Sequence, residues 1–403
     1  MNKLGINGMG RIGKLVLWNN LMNEEFEEFV VNIGRKTGNS IDAFINFIMT
    51  DSTYGFLDRF LYGYSGKTVN LEKIDEFSFK INDKLIRILV TDRNPKDINW
   101  KKYKVKLVVD CTGVFLDPSK NSSEPKGSIR GHLDSGAELV ICSAPFKTKE
   151  KFPIDTTMTV FGINHTDIDF DKHKIISSAS CTTTALSHMM KPLLDNIETS
   201  KIITASMSTI HAATNNQTIL DSLPKSGSVD LRRNRSVFNN IIITSTGAAK
   251  ALEYVLPEIK KIGFMADSVR IPSNTVSLVT LNLTFKTSLD TSGNPVINNE
   301  YLNDIYKSAS ENSNHKLLEF SSIQNVSSDF KGKRASVVIE GYETHTKTGF
   351  LSLPNSMLFE SGVAGKIELP VTHAKIFGWY DNEFGNYVNS LSELIKYSIK
   401  NIK

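Results

Sequence analysis

A chain of 403 residues with a net charge of +4 is too long for one small core and suits two domains of ordinary size. Its 40% apolar and 22% charged residues are those of a globular protein, and no stretch approaches the roughly 18 apolar residues that a membrane helix needs. Lysines are scattered among acids without a basic block, which argues against a nucleic-acid surface, and Cys111, Cys142 and Cys181 show no C-x-x-C spacing, so they read as free thiols.

In chain order, residues 4–7 are a short β-rich run, residues 12–22 carry Ile12, Leu15 and Val16 on one helical face, and residues 29–32 are apolar again. That is a βαβ unit. Its turn, Gly8-Met9-Gly10-Arg11-Ile12-Gly13, follows a strand and opens a helix, where glycines permit a tight turn, backbone approach to a pyrophosphate, and close helix packing. The motif comes too early to leave room for a signal peptide, which predicts a cytoplasmic protein. At the end of the second strand, the usual place of a ribose-binding acid holds Asn32-Ile33-Gly34-Arg35-Lys36. Arg35 and Lys36 either meet a 2′-phosphate or are solvated loop charges. Further apolar runs at 105–110 and 139–142 belong to a parallel sheet covered on both faces, so the first domain reads as a doubly wound α/β sheet.

Cys181 lies in Ser177-Ser178-Ala179-Ser180-Cys181-Thr182-Thr183-Thr184, ahead of a helical pattern through Leu186, Met189 and Met190. With Ser180 as N-cap the thiol falls in the first turn, where the helix dipole favours a thiolate. A lone cysteine is more often a small core residue. The hydroxyl-rich surroundings favour the reactive reading. A thiolate nucleophile needs a base, and among eight histidines His211 ends a regular strand run in a polar loop. His188 competes, but on a helix it lies two turns from the thiol and reads as structural or surface.

Beyond Cys181 the runs 202–211, 276–285 and 335–339 alternate, predicting an α+β domain with a mostly antiparallel sheet. Residues 287–300 and 344–370, rich in Ser, Thr, Gly and Asn, read as surface insertions. In 387–402, Val388, Leu391, Leu394 and Ile395 recur at helical spacing, a last helix able to return to the first domain. Thr214, the segment Ser245-Thr246-Gly247-Ala248-Ala249-Lys250 and Arg270 each offer donors for a phosphate. Their case rests on occurring together with a Cys and a His.

Taken in order, these segments resemble the glyceraldehyde-3-phosphate dehydrogenase family over nearly the whole chain. Besides the glycine motif, the cysteine segment and Ser245 to Lys250, the resemblance rests on Asp51-Ser52-Thr53-Tyr54-Gly55, Cys111-Thr112-Gly113-Val114-Phe115, Ser143-Ala144-Pro145, Asp230-Leu231-Arg232-Arg233 and Trp379-Tyr380-Asp381-Asn382-Glu383-Phe384-Gly385. It implies a Rossmann-type domain from residues 1–180 completed by 381–403, a catalytic domain at 181–380, and a homotetramer. It also implies a small phosphorylated aldehyde and inorganic phosphate as substrates, with no metal, nucleic acid or membrane.

The same resemblance makes Cys181 the nucleophile and His211 its base. Thr214 and Arg270 would hold the substrate phosphate, and Ser180, Thr182, Thr246 and Gly247 the attacking phosphate. Gly8, Gly10, Arg11, Ile12, Thr112 and Ser143 would line the dinucleotide, and Asn382 the nicotinamide amide. The chain departs from the family at Thr184 (usually Asn), Ile33 (Asp), Asn216 (often Asp) and Asn386 (Tyr). Ile33 leaves NAD, NADP or dual use open. The nearest alternatives are the hydrolytic relative erythrose-4-phosphate dehydrogenase and a retired paralogue that only binds. The intact Ser245-Thr246-Gly247 and the intact Cys181, His211, Arg270 and Asn382 argue against them.

Overall fold

The computed structural model describes residues 2–36, 40–90, 92–224, 226–353 and 367–402. It divides into two compact units, Met1–Cys181 with Glu383–Lys403, and Thr182–Asn382. In the first, the strands are β1 (Asn2–Asn7), β2 (Phe26–Asn32), a ribbon of β3 (Thr50–Asp51) and β4 (Gly55–Phe56), β5 (Leu71–Asp75), β6 (Ser78–Ile81), β7 (Lys84–Leu89), β8 (Leu107–Asp110), β9 (Leu139–Cys142), β10 (Thr156–Met158) and β11 (Ile175–Ser177). Nine of them form one sheet in the order β10-β11-β9-β8-β1-β2-β7-β6-β5. The run from β10 to β7 is parallel, and β6 and β5 add an antiparallel edge.

The expected doubly wound sheet is therefore present, and its chemistry explains it. Leu107, Val108 and Val109 of β8 and Leu139, Val140 and Ile141 of β9 are buried on both faces, as a covered parallel sheet requires. From β1 the chain winds first to β2 and later to β8, on the opposite side of β1. The carboxyl ends of β1 and β8 thus flank a topological switch point, the place where open α/β sheets bind ligands.

The last helix, Asn389–Asn401, packs on the first unit, where Asn20 Nδ2 donates to Ser392 Oγ at 3.0 Å and Lys400 pairs with Glu25 at 2.9 Å. A five-residue π-helical turn, Phe384–Val388, precedes it, and its Phe384 ring packs edge-on against Phe60 and Tyr54. The α-helical spacing from 387 onward gave no sign of that turn.

The second unit contains β12 (Ile202–Ala212), β13 (Ile242–Ser245), β14 (Gly263–Ile271), β15 (Ser277–Lys286), β16 (Leu318–Ser321), β17 (Val337–Glu340), β18 (His345–Leu353) and β19 (Ile367–Tyr380). The sheet order is β13-β14-β12-β15-β19-β17-β16, with β18 on β19. Most pairs are antiparallel; β12 with β14 and β16 with β17 are parallel. Strand β15 alternates buried and half-buried residues, with Val279, Leu281, Leu283 and Phe285 inside.

The described parts of both expected insertions lie mostly at the surface, but they carry more regular structure than loops. Residues 287–300 make a tight Asp290 turn, but Ile297 is fully buried and Asn298 caps the helix Asn299–Glu311 by accepting from Tyr301 N–H. Within 344–370, β18 and the start of β19 extend the sheet as an antiparallel pair, while 354–366 lie outside the described residues. Polar composition on a two-sided ribbon resembles loop composition, which is why the pattern misled. No helix among the described residues is long and apolar enough to cross a membrane.

The turn after β1 offers a test in which helix propensity and packing oppose each other. A Cβ on Gly13 would lie 2.0 Å from Gly8 O, whereas one on Gly10 meets nothing within 4 Å. Inside a helix, Gly to Ala ordinarily gains up to about 1 kcal/mol. Gly13→Ala should instead lose about 1–3 kcal/mol through overpacking against backbone. Urea unfolding checks this, with Gly10→Ala expected to change stability little.

Candidate active site

In the first unit, Gly8 turns at φ +93° and its N–H donates to Asn32 O at 2.9 Å. The helix Arg11–Asn20 starts at Gly10 with no side-chain cap and no acid in its first turn. Its leading N–H groups, those of Arg11, Ile12 and Gly13, are thus offered to an anion, and the open side of Gly10 leaves room for one. The residues present fit a dinucleotide pyrophosphate. The Arg11 guanidinium is already engaged by Asp51 and Glu383, so what Arg11 offers a ligand is its backbone. Burial pushes the Asp51 carboxyl up, but Lys14 and Arg11 outweigh it and hold it at about 2.

Thr112 and Ser143 both hang from Asp110, the first from its carboxylate and the second from its backbone carbonyl. Asp110 Oδ1 accepts from Thr112 N–H at 3.0 Å and from its hydroxyl at 2.6 Å, while Ser143 N–H donates to Asp110 O at 2.9 Å. Asp110 Oδ2 accepts from Asn7 Nδ2 at 2.8 Å and lies 3.0 Å from His132 Nε2. Trp100 Nε1–H can only donate, and it reaches His132 Nδ1 at 2.9 Å. The His132 proton therefore sits on Nε2 and points at Asp110. Burial alone would raise the Asp110 carboxyl, yet these donors hold it below its ordinary value.

Cys181 is the first residue of the helix Cys181–Asp195, half-buried, two residues beyond Ala179 at φ +55°. A non-glycine residue in that region is strained and must be held by its surroundings. Ala179 N–H donates to Ser177 Oγ at 3.1 Å, and the buried Tyr387 hydroxyl lies 3.3 Å from Ala179 O and 2.8 Å from Ser178 Oγ. Tyr387 belongs to the π turn. The other two thiols are poor nucleophiles, because burial pushes Cys142 well up and Cys111 to about 12.

In the second unit, His211 and Arg270 are register partners on the parallel strands β12 and β14. The Ala212 carbonyl lies 2.7 Å from His211 Nδ1 and 3.2 Å from Arg270 Nη1. Ala212 O calls for a proton on Nδ1, which leaves the Nε2 lone pair for a proton acceptor's role, whereas a donating Arg270 calls for a lone pair on Nδ1 itself. Arg270 Nη1 is only 2.6 Å from Nδ1. Burial first, and then this guanidinium, depress His211 to about 3, so it is neutral at neutral pH.

Tyr380 links the two elements that matter most: its hydroxyl lies 2.7 Å from Thr209 Oγ1 and 3.1 Å from Thr182 Oγ1, the residue after the thiol. Ser277 Oγ accepts from Ala212 N–H and donates to Asn382 Oδ1, each at 3.0 Å, which fixes the Asn382 amide relative to the end of β12. Thr214 donates its N–H and hydroxyl to Gln217 Oε1. Thr246 Oγ1 accepts from Ala248 N–H at the start of the helix Ala248–Val255, and Gly247 is exposed.

These last groups do not form one cluster. Arg270 pairs with Ile242 at one end of β13, and Thr246 follows Ser245 at the other end, roughly 13 Å away at strand rise. The arrangement suits two separate phosphates. Sequence reasoning missed Tyr380, Tyr387, Ser277, Asp110 and His132. Tyr380 could have been found, since it stands in the same motif as Asn382; the others carry no local signal.

His188 is buried, with Nδ1 2.9 Å from Thr184 O, which makes it structural and not a surface residue. Burial depresses it to about 4. Unfolded, an imidazole titrates near 6.5. Between those values the unfolded chain binds the extra proton, so stability falls as pH drops below about 6.5, by up to roughly 1.4 kcal/mol per pH unit per buried histidine. His188→Gln should flatten that slope by up to one proton between pH 6.5 and 4, as denaturant unfolding at several pH values would show.

Comparisons with known proteins agree with this geometry. Residues 2–118 match the glyceraldehyde 3-phosphate dehydrogenase NAD binding domain, and residues 180–382 match the C-terminal domain of the same family. The chain is 32% identical to glyceraldehyde-3-phosphate dehydrogenase 2 of Bacillus subtilis, over 100% of this chain and 98% of that protein. It is 33% identical to glyceraldehyde-3-phosphate dehydrogenase 2 of a Nostoc species, over 98% of both, and 33% identical to the enzyme of Borreliella burgdorferi, over 95% and 96%. With strands, thiol and histidine falling where both domains of that family are matched, the chain belongs to the glyceraldehyde-3-phosphate dehydrogenase family.

Proposed function

We propose that this protein catalyses the phosphorylating oxidation of glyceraldehyde 3-phosphate to 1,3-bisphosphoglycerate. The observation that carries the reading is a histidine kept neutral by burial and Arg270, on a strand tied through Tyr380 and Thr182 to the helix that Cys181 opens. The unit Met1–Cys181 with Glu383–Lys403 serves as the dinucleotide domain, and Thr182–Asn382 as the catalytic one.

His211 Nε2 takes the Cys181 proton as sulfur bonds to the aldehyde carbon, and the imidazolium then donates a hydrogen bond to the hemithioacetal oxygen. Bound nicotinamide supplies the hydride acceptor. Gly8, Gly10, Arg11, Ile12, Thr112 and Ser143 line its dinucleotide, and Asn382, oriented by Ser277, holds the amide. Loss of hydride from the carbon as its oxyanion re-forms a carbonyl leaves a thioester on Cys181, with the thiol proton held on His211. Phosphate held by Ser180, Thr182, Thr246 and Gly247 forms the new C–O bond, the C–S bond breaks, and acyl phosphate leaves while sulfur returns to the thiolate. Thr214 and Arg270 hold the substrate's own phosphate throughout, by charge-assisted hydrogen bonds.

The chemistry needs a reduced thiol, which supports a cytoplasmic location. A homotetramer is supported by the uncovered apolar surface around β13 and β14: Leu223, Val229, Ile241 and Met265 are 92%, 98%, 75% and 72% exposed. A monomer seldom leaves so much apolar surface in water. Light scattering after gel filtration should give four chain masses; a monomer would remove that assembly.

Nicotinamide reduction with glyceraldehyde 3-phosphate, with and without inorganic phosphate, tests the reaction. Turnover should require phosphate, and Cys181→Ser should lower kcat by about a thousandfold or more. Turnover indifferent to phosphate would favour hydrolysis of the thioester, and none in the folded protein a binding role.

A further inference from the structure

The glycine turn that would take the pyrophosphate leans on a second turn, and that second turn is built on a buried carboxylate. A Cβ on Gly8 would lie 2.9 Å from Thr112 Cγ2 and 3.0 Å from Thr112 N, so Thr112 packs directly against the first glycine of the motif. The Thr112 hydroxyl has a fixed polarity. Its one proton goes to the Asp110 carboxylate at Oδ1, 2.6 Å away, and one of its lone pairs takes Val114 N–H at 3.2 Å. What remains for a ligand is the other lone pair, which suits a hydroxyl such as one on a ribose.

Thr112 keeps that arrangement only while the carboxylate keeps its orientation, and the last torsion of an aspartate is soft. Two donors hold the other carboxylate oxygen: Asn7 Nδ2 at 2.8 Å and His132 Nε2 at 3.0 Å. Asn7 is committed in turn, since its Oδ1 accepts from Asn32 Nδ2 at 2.8 Å. His132 is fully buried, and Trp100 Nε1–H occupies its Nδ1, which leaves the imidazole proton on Nε2 and aims it at Asp110. The file Trp100, His132, Asp110, Thr112 therefore runs without a gap from the core to the glycine turn.

We propose that His132 is a positioning residue for the dinucleotide: through Asp110 it holds Thr112, and with it one wall of the Gly8 turn, in the geometry that the cofactor meets. In this role it touches neither cofactor nor substrate. Without a donor at Nε2, Asn7 alone holds Asp110 Oδ2, the carboxylate is free to turn, and Thr112 turns with it. Binding must then restore an order that the folded protein otherwise has in advance, which weakens affinity and leaves the chemical step alone. The inference rests on the dinucleotide reading above.

Glutamine and asparagine separate this role from packing, because the amide nitrogen of glutamine can reach the place of Nε2 and that of asparagine only the place of Nδ1. His132→Asn, His132→Gln, Trp100→Phe, Thr112→Val and the double variant His132→Asn with Thr112→Val would be compared in the intact protein by calorimetric titration with NAD and by the kinetics of the phosphorylating reaction. His132→Asn should raise the NAD Kd and KM by about tenfold with kcat changed by less than about threefold, and His132→Gln should recover most of the affinity. The double variant should bind about as weakly as the weaker single one, since both act through one path. A folded His132→Asn protein with unchanged Kd, equal losses in the asparagine and glutamine variants, or effects that simply add in the double variant would overturn the proposal. If His132→Asn does not fold, Trp100→Phe decides: a Kd raised by about threefold or more supports the path, and an unchanged one overturns it. An unaltered protein that binds no dinucleotide would instead overturn the reading beneath it.

Discussion

A carboxylate removed from water must be surrounded by donors, and Asp110 imposes that requirement on the carboxyl-end edge of the first unit's sheet. Its two oxygens collect Asn7, His132 and the backbone and hydroxyl of Thr112, and Asn7 in turn accepts from Asn32. Three adjacent strands, β2, β1 and β8, are thereby joined at their carboxyl ends by side chains as well as by the sheet. An unmatched group in such a network would cost more than a single satisfied hydrogen bond contributes. Thr112 is held as a by-product of satisfying one buried charge.

The second unit solves the same problem with carbonyls and hydroxyls. Ala212 presents its carbonyl to His211 and Arg270 and its N–H to Ser277, which passes the constraint on to Asn382. Proton affinity at His211 follows from this packing. A buried imidazole beside a guanidinium cannot hold a second positive charge cheaply, so His211 is neutral over the neutral range. The strain at Ala179 has the same logic on the backbone, since Tyr387 and Ser177 hold a conformation that the residue would not choose alone.

Much of this was legible from patterns with short range. The glycine motif, the apolar runs of β8 and β9 and the alternation of β12 and β15 each follow from local sterics and from which faces meet water. Cys181 stood out by its hydroxyl-rich neighbours and His211 by ending a strand. The ribbon of β18 and β19 did not, because its polar composition matches that of a loop and its pairing partner supplies the order. Nor did the π turn at 384–388, where Phe384 fits against Phe60 and Tyr54 from a distant segment.

What the sequence by itself determined is the set of elements and the chemical types at their ends: a glycine turn, a thiol at a helix start, a histidine at a strand end, an absent acid at Ile33. Periodicity and composition carry these because they depend on neighbours along the chain. Only the tertiary structure decided which groups hold which: Asp110 beneath Thr112, Arg270 beside His211, Arg93 across Gly34. These partners are 2, 59 and 59 residues apart, and the two distant pairs exist because separate strand ends are brought side by side by sheet pairing and by turns that leave no room for another side chain.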